Sequence, residues 1–241
     1  MDGFIDLHCH VLPGLDDGAQ TMEESLTMLR QAEKAGFSGL IMTPHHHIRR
    51  GMASPEQIKA ALAAMQEHID AEGLSLRLYP GNELYYAHDS VEKLSRGEVL
   101  TLAGSSYVLT EFSFGATFQE IRQGLLELSQ AGYYPVLAHI ERYECMTDAP
   151  QLCGELYDMG VYIQVNAGSF LGDAGRKPKK LVSMLLKEDL IHFVGTDAHD
   201  TKKRSPEIER CVKYIKKKAG EETVARLLRK NAQAVLENRV I

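Results

Sequence analysis

Apolar and polar positions along this 241-residue chain alternate between two periods. Short runs rich in β-branched and aromatic residues, at 4–7, 39–43, 75–79, 107–111, 134–139, 161–166 and 191–196, predict seven strands. Between them the apolar spacing widens to the helical period. Thr21-Met22-Glu23-Glu24 reads as a capping box opening a helix whose Met22, Leu26, Leu29 and Ala32 share one stripe, with Gly36 closing it. Ser54-Pro55-Glu56-Gln57 opens a second helix ended by Gly73, and Thr117-Phe118-Gln119-Glu120 a third ended by Gly132. Weaker periodic stretches predict helices at 89–94, 151–159, 181–188, 206–219 and 222–237. Polar loops are expected at 45–53 and, rich in Gly and Lys, from Ala167 onward.

Strands alternating with helices, without a composition shift that would mark a linker, predict an α/β fold with a parallel sheet, and the regular alternation suits closure into a barrel. The length is compatible with one such domain spanning residues 1–241. No Gly-x-Gly-x-x-Gly follows the first strand and no P-loop is present, which disfavours a doubly wound nucleotide-binding sheet.

Composition narrows the function. A hydrophobic share of 44% and a charged share of 25% are those of an ordinary globular protein. No stretch is long and apolar enough to span a bilayer and no secretory leader pattern is read at the N-terminus, so a cytoplasmic protein without membrane insertion is expected. A net charge of −6 argues against nucleic-acid binding through a basic surface. Cys9, Cys145, Cys153 and Cys211 form no C-x-x-C pair and are expected to be reduced and mostly buried.

The chemistry lies at the strand ends. In the first strand His8 and His10 project to one side while Leu7 and Cys9 project to the other, so two imidazoles can grip one metal ion. Asp16 and Asp17 follow directly, between Pro13-Gly14 and Gly18. His45, His46 and His47 follow the second strand, Glu83 the third, Glu111 the fourth, His139 the fifth, Asn166 the sixth, and Asp197 with His199 the seventh. In a barrel all these ends lie on the face where active sites are built, whereas residues without a function would be scattered over helices and loops alike. His68, His88 and His192 fall at such scattered positions.

The ordered combination I-D-L-H-C-H…D-D-G, T-P-H-H, G-N-E, T-E-F, A-H-I-E-R and G-T-D-A-H resembles the PHP (polymerase and histidinol phosphatase) family. L-P-G-L-D-D-G-A, A-H-I-E-R-Y and L-I-H-F-V-G-T-D-A-H most resemble its manganese-dependent protein-tyrosine phosphatases of bacterial capsule and exopolysaccharide synthesis. The resemblance implies a distorted (β/α)7 barrel and a cluster of up to three divalent metal ions. It implies that His8, His10, Glu83 and Asp197 hold one metal, Asp17, His45 and His199 a second, and Glu111 and His139 a third, with Glu83 bridging. Asp16 is open as an alternative to Asp17, and His46 to His45, with His46 and His47 expected at the rim. Mixed imidazole and carboxylate ligands suit manganese, with zinc and iron also compatible. The implied reaction is in-line hydrolysis by a metal-bridging hydroxide, with a phosphotyrosine protein as substrate and a bacterial tyrosine kinase as the partner.

Arg142, three residues after His139, and Arg204, five after His199, are placed to reach phosphoryl oxygens; with Asp17 they form the expected catalytic set. Arg49, Arg50, Arg176, Lys177, Lys179 and Lys180 are expected in loops of the same face, either as a basic rim for an acidic segment or as solvated charges. Cysteine-based phosphatase chemistry requires an Arg six positions after the Cys, and the four cysteines have Leu15, Gln151, Met159 and Lys217 there. A small-phosphomonoester phosphatase, a PHP exonuclease and a catalytically silent metal binder are the competing readings. The sequence leaves the oligomeric state open.

Overall fold

The computed structural model describes residues 3–241, so Met1 and Asp2 lie outside the description. Its strands are β1 (Phe4–Cys9), β2 (Phe37–Met42), β3 (His45–His47), β4 (Gly51–Met52), β5 (Arg77–Pro80), β6 (Glu83–Tyr85), β7 (Tyr107–Glu111), β8 (Tyr134–Leu137), β9 (Tyr162–Asn166) and β10 (Phe193–Gly195). Each of the seven expected strands overlaps one of them, β1, β2, β5, β7, β8, β9 and β10, whereas β3, β4 and β6 fall outside the expected set. β1, β2 and β5 pair in that order in one sheet, and β10-β9-β8-β7-β6-β3-β4 form a second. The pairings are parallel except the β3–β4 hairpin.

Two chain breaks create the division. Pro44, without an N–H, interrupts the ladder between β2 and β3, and Gly81-Asn82 does the same between β5 and β6. Asn82 ties the breaks together: its Nδ2 donates to Pro44 O at 2.9 Å and its Oδ1 accepts from Leu100 N at 2.9 Å. At the opposite edge Asp197 N donates to His8 O and His10 N donates to Ala198 O, both at 2.8 Å, so β1 lies against the segment leaving β10. The result is a curled, largely parallel sheet whose carboxyl ends gather at one rim.

One face of several strands reads apolar first and polar toward that rim: Tyr107, Leu109, Glu111 on β7, and Tyr162, Gln164, Asn166 on β9. The apolar positions of this pattern pack together with Leu7, Ile41, Val136, Phe193 and Val235 in one cluster. A larger cluster, including Met28, Leu40, Leu125, Leu137, Ile163 and Leu185, joins the strands to the flanking helices. A buried side chain of this kind contributes about 1.5–3 kcal/mol, so the polar rim rests on a substantial apolar base.

The helix signals acted as expected in most places. Ser54 and Thr117 form complete capping boxes on helices Pro55–Glu72 and Phe118–Gln130, and Gly73 ends the former in the left-handed conformation. Thr21 caps Met22–Lys34 through Glu24 N, but the Glu24 carboxylate accepts from Gln20 N instead of Thr21 N, so that box is half formed. Two loops need correction. Residues 45–53 contain the β3–β4 hairpin, and the Gly/Lys-rich segment after Ala167 contains a 3-10 turn (Ala167–Phe170) and the first turns of helix Arg176–Lys187. Pro178 is compatible with this helix because first-turn N–H groups have no partner within it. The expected C-terminal helix is Glu221–Ala225 and Asn231–Leu236 joined by a π-type turn. Among the described residues no helix is long and apolar enough to cross a membrane.

Candidate metal centre

β1 brings His8 and His10 together as its alternation requires, with their Nε2 atoms 3.2 Å apart. Both rings meet Glu83, at 3.4 and 3.3 Å, and Asp197, at 3.4 and 3.5 Å. Glu83 sits at the middle of the array: its Oε2 lies 2.9 Å from His45 Nδ1 and its Oε1 2.9 Å from His139 Nε2. Glu111 Oε1 is 3.5 Å from the same His139 nitrogen. Asp17 Oδ1 is 3.2 Å from His45 Nε2 and 3.4 Å from His199 Nε2. All nine residues expected to bind metal therefore meet in one place. Their donor atoms fall into four overlapping groups: His10-Asp17-His45-His199, His8-His10-Asp197, His8-Glu83-His139 and His45-Glu83-Glu111. His10 belongs with the Asp17 group as well as with His8, a sharing that the partition drawn from the sequence lacks.

Backbone geometry at the rim is unusual. His139 (φ 34°) and Asp197 (φ 52°) occupy the left-handed region, where a non-glycine residue costs about 1–3 kcal/mol. A Cβ on Gly195 would lie 2.8 Å from His8 Cβ, and one on Gly18 would lie 2.1 Å from His10 O. Only glycine at these positions lets β10 and the Asp16-Asp17 turn close on the two histidines.

A surrounding set of acceptors orients the rings. Gln164 Oε1 faces His8 Nδ1 at 3.2 Å, Asp16 Oδ2 faces His10 Nδ1 at 2.6 Å, and Asp197 O faces His199 Nδ1 at 2.9 Å. With Nδ1–H donated outward, each ring presents Nε2 to the centre, the usual arrangement behind a metal-binding imidazole. The Asp16 and Asp17 alternatives thus separate by position: Asp16 stands behind His10 and also accepts from His45 N and Gly18 N, while Asp17 faces the donor atoms. His45 likewise faces the cluster. His46 is buried and outside every donor group, and His47 packs edge-on against Tyr85, so His46 is not the rim residue expected.

The donor set passes a chemical test for cations. His45 Nδ1 and Nε2, His139 Nδ1, His199 Nε2 and Glu83 Oε2 are buried without a well-aligned hydrogen bond. Buried polar atoms are rarely left so unless a ligand satisfies them. Without a metal the carboxylates draw protons onto His8, His10 and His45, whereas burial and the charge of His10 lower the pKa of His199 to about 4. Burial opposes charge on His8, but Glu83 and Asp197 outweigh it and raise its pKa to about 9. Burial is similarly outweighed at His45, by Asp17 and Glu83, giving about 10. The close approach of the His199 and His45 rings holds Asp17 well below the usual carboxylate range, which makes it an ionised group and not a proton donor.

The two arginines are on the rim. Arg204 Nη2 is 2.7 Å and Arg142 Nη1 3.5 Å from the two oxygens of Asp197, to which Asn166 Nδ2 also donates at 2.8 Å. The Arg142 guanidinium lies 4.2 Å from the centroid of Phe114. A cleft of about 700 Å³ opens here, lined on the site side by Phe114, Arg142, Asn166, Asp197 and Arg204.

Sequence reasoning missed three contributors. Gln164 is fully buried, accepting from His139 N at 2.7 Å besides facing His8. Arg50 lies in a loop as expected, the turn between β3 and β4, but it reaches Glu111 at 3.2 Å and so is paired instead of a solvated charge. Glu141 is buried, accepting from Asn166 N and Ser169 Oγ at the end of β9. A polar residue on the inward face of an apolar strand is the one signal that could have marked Gln164. Cys9, Cys153 and Cys211 are buried and all four cysteines are free; burial pushes the Cys9 thiol far above its usual range.

Comparison with known proteins gives a consistent answer. Residues 4–237 match the family model "Capsular polysaccharide synthesis, CpsB/CapC". The chain is 33% identical over 244 residues to tyrosine-protein phosphatase CpsB of Streptococcus agalactiae serotype V, covering 98% of this chain and 100% of that protein. It is 32% identical over 237 residues to tyrosine-protein phosphatase YwqE of Bacillus subtilis, covering 98% and 93%. Among solved structures it superposes with a TM-score of 0.91 and 32% identity, covering 98% and 96%, on a chain from the crystal structures of YwqE from Bacillus subtilis and CpsB from Streptococcus pneumoniae, described as unique metal-dependent tyrosine phosphatases. A match that runs from β1 to the last helix, over the whole span in which the rim residues lie, places this chain in the CpsB/CapC family of capsular polysaccharide synthesis.

Proposed function

We propose that this chain is a metal-dependent phosphotyrosine-protein phosphatase. It is built as a single-domain, distorted (β/α)7 barrel, works in the cytoplasm with three manganese ions, and acts on a bacterial tyrosine kinase of exopolysaccharide synthesis. The observation that carries the activity is the convergence of His8, His10, Asp17, His45, Glu83, Glu111, His139, Asp197 and His199 beside two arginines, with no cysteine in position to act as nucleophile.

When bound, divalent cations in such a site supply charge that acidifies water and neutralises phosphoryl oxygens. The imidazoles and carboxylates of the rim hold those cations, with Gln164, Asp16 and the Asp197 carbonyl fixing ring orientation. Arg142 and Arg204 donate to the phosphoryl oxygens, and their present partner Asp197 marks where that charge arrives. Phe114 supports the Arg142 guanidinium from one face. Asp17, ionised, serves as a ligand. With cations bound, the nine ligand side chains would be deprotonated and none of them free to protonate a leaving group, so a good leaving group is favoured. A tyrosine phenol, with pKa about 10, leaves more readily than a serine alkoxide.

The test compares hydrolysis of phosphotyrosine and phosphoserine peptides of one sequence and of histidinol phosphate by the manganese-loaded protein. A clear preference for phosphotyrosine is expected. Equal peptide rates remove the tyrosine assignment, and faster histidinol phosphate hydrolysis favours a small-molecule phosphatase.

A further inference from the structure

Next to the metal centre, the cleft continues past Asp197 along the segment that follows His199. Its far wall carries Lys202, Lys203 and Arg210. None of these three side chains has an ion pair among the described residues, whereas Arg50 is paired with Glu111 and Lys177 with Asp148. The reason is local. Asp200 Oδ1 accepts from the backbone N–H of Lys202, Lys203 and Arg204, at 2.6, 2.7 and 3.2 Å, and Arg204 O accepts from His199 N and Asp200 N. The nearest carboxylate is therefore engaged by backbone, and the turn it ties holds a run of cations directly behind a metal-site histidine. The cleft lining also holds the carboxylates of Asp173, Asp197 and Glu207, of which Glu207 Oε1 accepts from Arg210 N at 3.3 Å. In a chain of net charge −6, the lining of this cleft thus carries five cations, Arg142, Lys202, Lys203, Arg204 and Arg210, against three carboxylates, a local positive surplus beside the site.

Given the phosphotyrosine-phosphatase reading above, on which this step rests, we propose that this cleft is the surface that binds substrate protein. It selects phosphotyrosine segments with acidic residues next to the phosphotyrosine. The volume, about 700 Å³, lies in the range of about 300–1,000 Å³ typical of ligand clefts. Arg142 and Arg204 at its inner end take the phosphoryl group, and Lys202, Lys203 and Arg210 face the flanking side chains. Charges placed this way act on encounter and register more than on the chemical step, so the selection falls on KM and kcat/KM and leaves kcat on a saturating peptide little changed.

The experiment uses metal-loaded full-length protein and three phosphotyrosine peptides differing only in flanks: two Asp, two Ala or two Lys. Each kcat/KM is expressed relative to that of p-nitrophenyl phosphate, which has no flanks. Wild type is expected to prefer the Asp peptide over the Lys peptide by about tenfold or more, and the preference should shrink in 0.5 M salt as exposed charges are screened. Lys202→Ala/Lys203→Ala/Arg210→Ala should bring the ratio to near unity, and Lys202→Glu/Lys203→Glu should invert it; thermal melting confirms folding of each. A flat wild-type ratio, or a ratio unchanged in both variants, overturns the inference while normal p-nitrophenyl phosphate turnover leaves the phosphatase reading standing. Absence of turnover on every substrate overturns that reading and this inference together.

Discussion

Replacing Gln164 with Leu tests whether the acceptors behind the rings hold the metal centre together. One buried amide accepts from His139 N at 2.7 Å, faces His8 Nδ1 at 3.2 Å, and donates to Val165 O and Asn166 Oδ1. Leucine has similar bulk and no polar atoms, so Gln164→Leu leaves the His139 N–H and the His8 Nδ1–H buried and unpaired. Each unpaired donor costs about 1–3 kcal/mol, which predicts a loss of about 2–6 kcal/mol in the metal-free protein. Domains of this kind are stable by about 5–15 kcal/mol, so the variant should fold but unfold at lower urea. The His8 ring also loses the partner that fixes it and His139 its backbone anchor, and such losses typically weaken metal binding about 10–100-fold. Urea denaturation of the metal-free forms and calorimetric manganese titration measure the two effects separately. A variant within 0.5 kcal/mol of wild type with unchanged manganese affinity would refute the orienting role.

Arg142→Ala and Arg204→Ala should each lower turnover of a phosphotyrosine peptide by about 100- to 1,000-fold with metal content near that of wild type, as expected for donors aimed at transition-state charge; elemental analysis beside kinetics checks this, and near-normal rates in both remove the arginines from the mechanism. Loading metal at pH 7.5 should release protons. With folded-state pKa values near 9 and 10, raised above about 6.5, His8 and His45 are charged at that pH without metal; the stability this charge provides is complete below the unfolded pKa and lost as pH rises through 9–10. Manganese affinity should therefore fall as pH is lowered from 9 to 6, and titration calorimetry in buffers of different ionisation enthalpy should report more than one proton released; zero release contradicts the assignment of these rings.

The order of strands and helices was legible because each rests on local signals: the boxes at Ser54 and Thr117, the αL cap at Gly73, and the two-residue alternation that puts His8 beside His10. The rim residues were legible for a related reason, since strand ends in a parallel sheet collect on one side. What was not legible depends on distant partners. Gln164 lies 156 residues from His8, and nothing near it in sequence says that it stands behind a ring. Arg50 finds Glu111 only because the turn between β3 and β4 brings it to the end of β7, and a run of polar residues at 45–53 gives no hint of that pairing. The Lys-rich start of Arg176–Lys187 reads as loop by composition, yet its apolar face at Leu181, Val182, Leu185 and Leu186 is buried and carries those lysines into the helix. Asp16 and Asp17 are adjacent and chemically identical; only the turn through Gly18 decides which one faces the donor atoms of His45 and His199.

The central claim is that hydrolysis depends on metal held by this rim and on no cysteine. The direct measurement is turnover of one phosphotyrosine peptide by protein stripped with a chelator, verified metal-free by elemental analysis, then reloaded with manganese, before and after thiol alkylation. The account predicts no turnover in the stripped protein, recovery on reloading, and the same recovered rate after alkylation, because Cys9 is buried with its thiol held protonated. Full activity in verified metal-free protein, or loss of activity on alkylation with all metal retained, would contradict it.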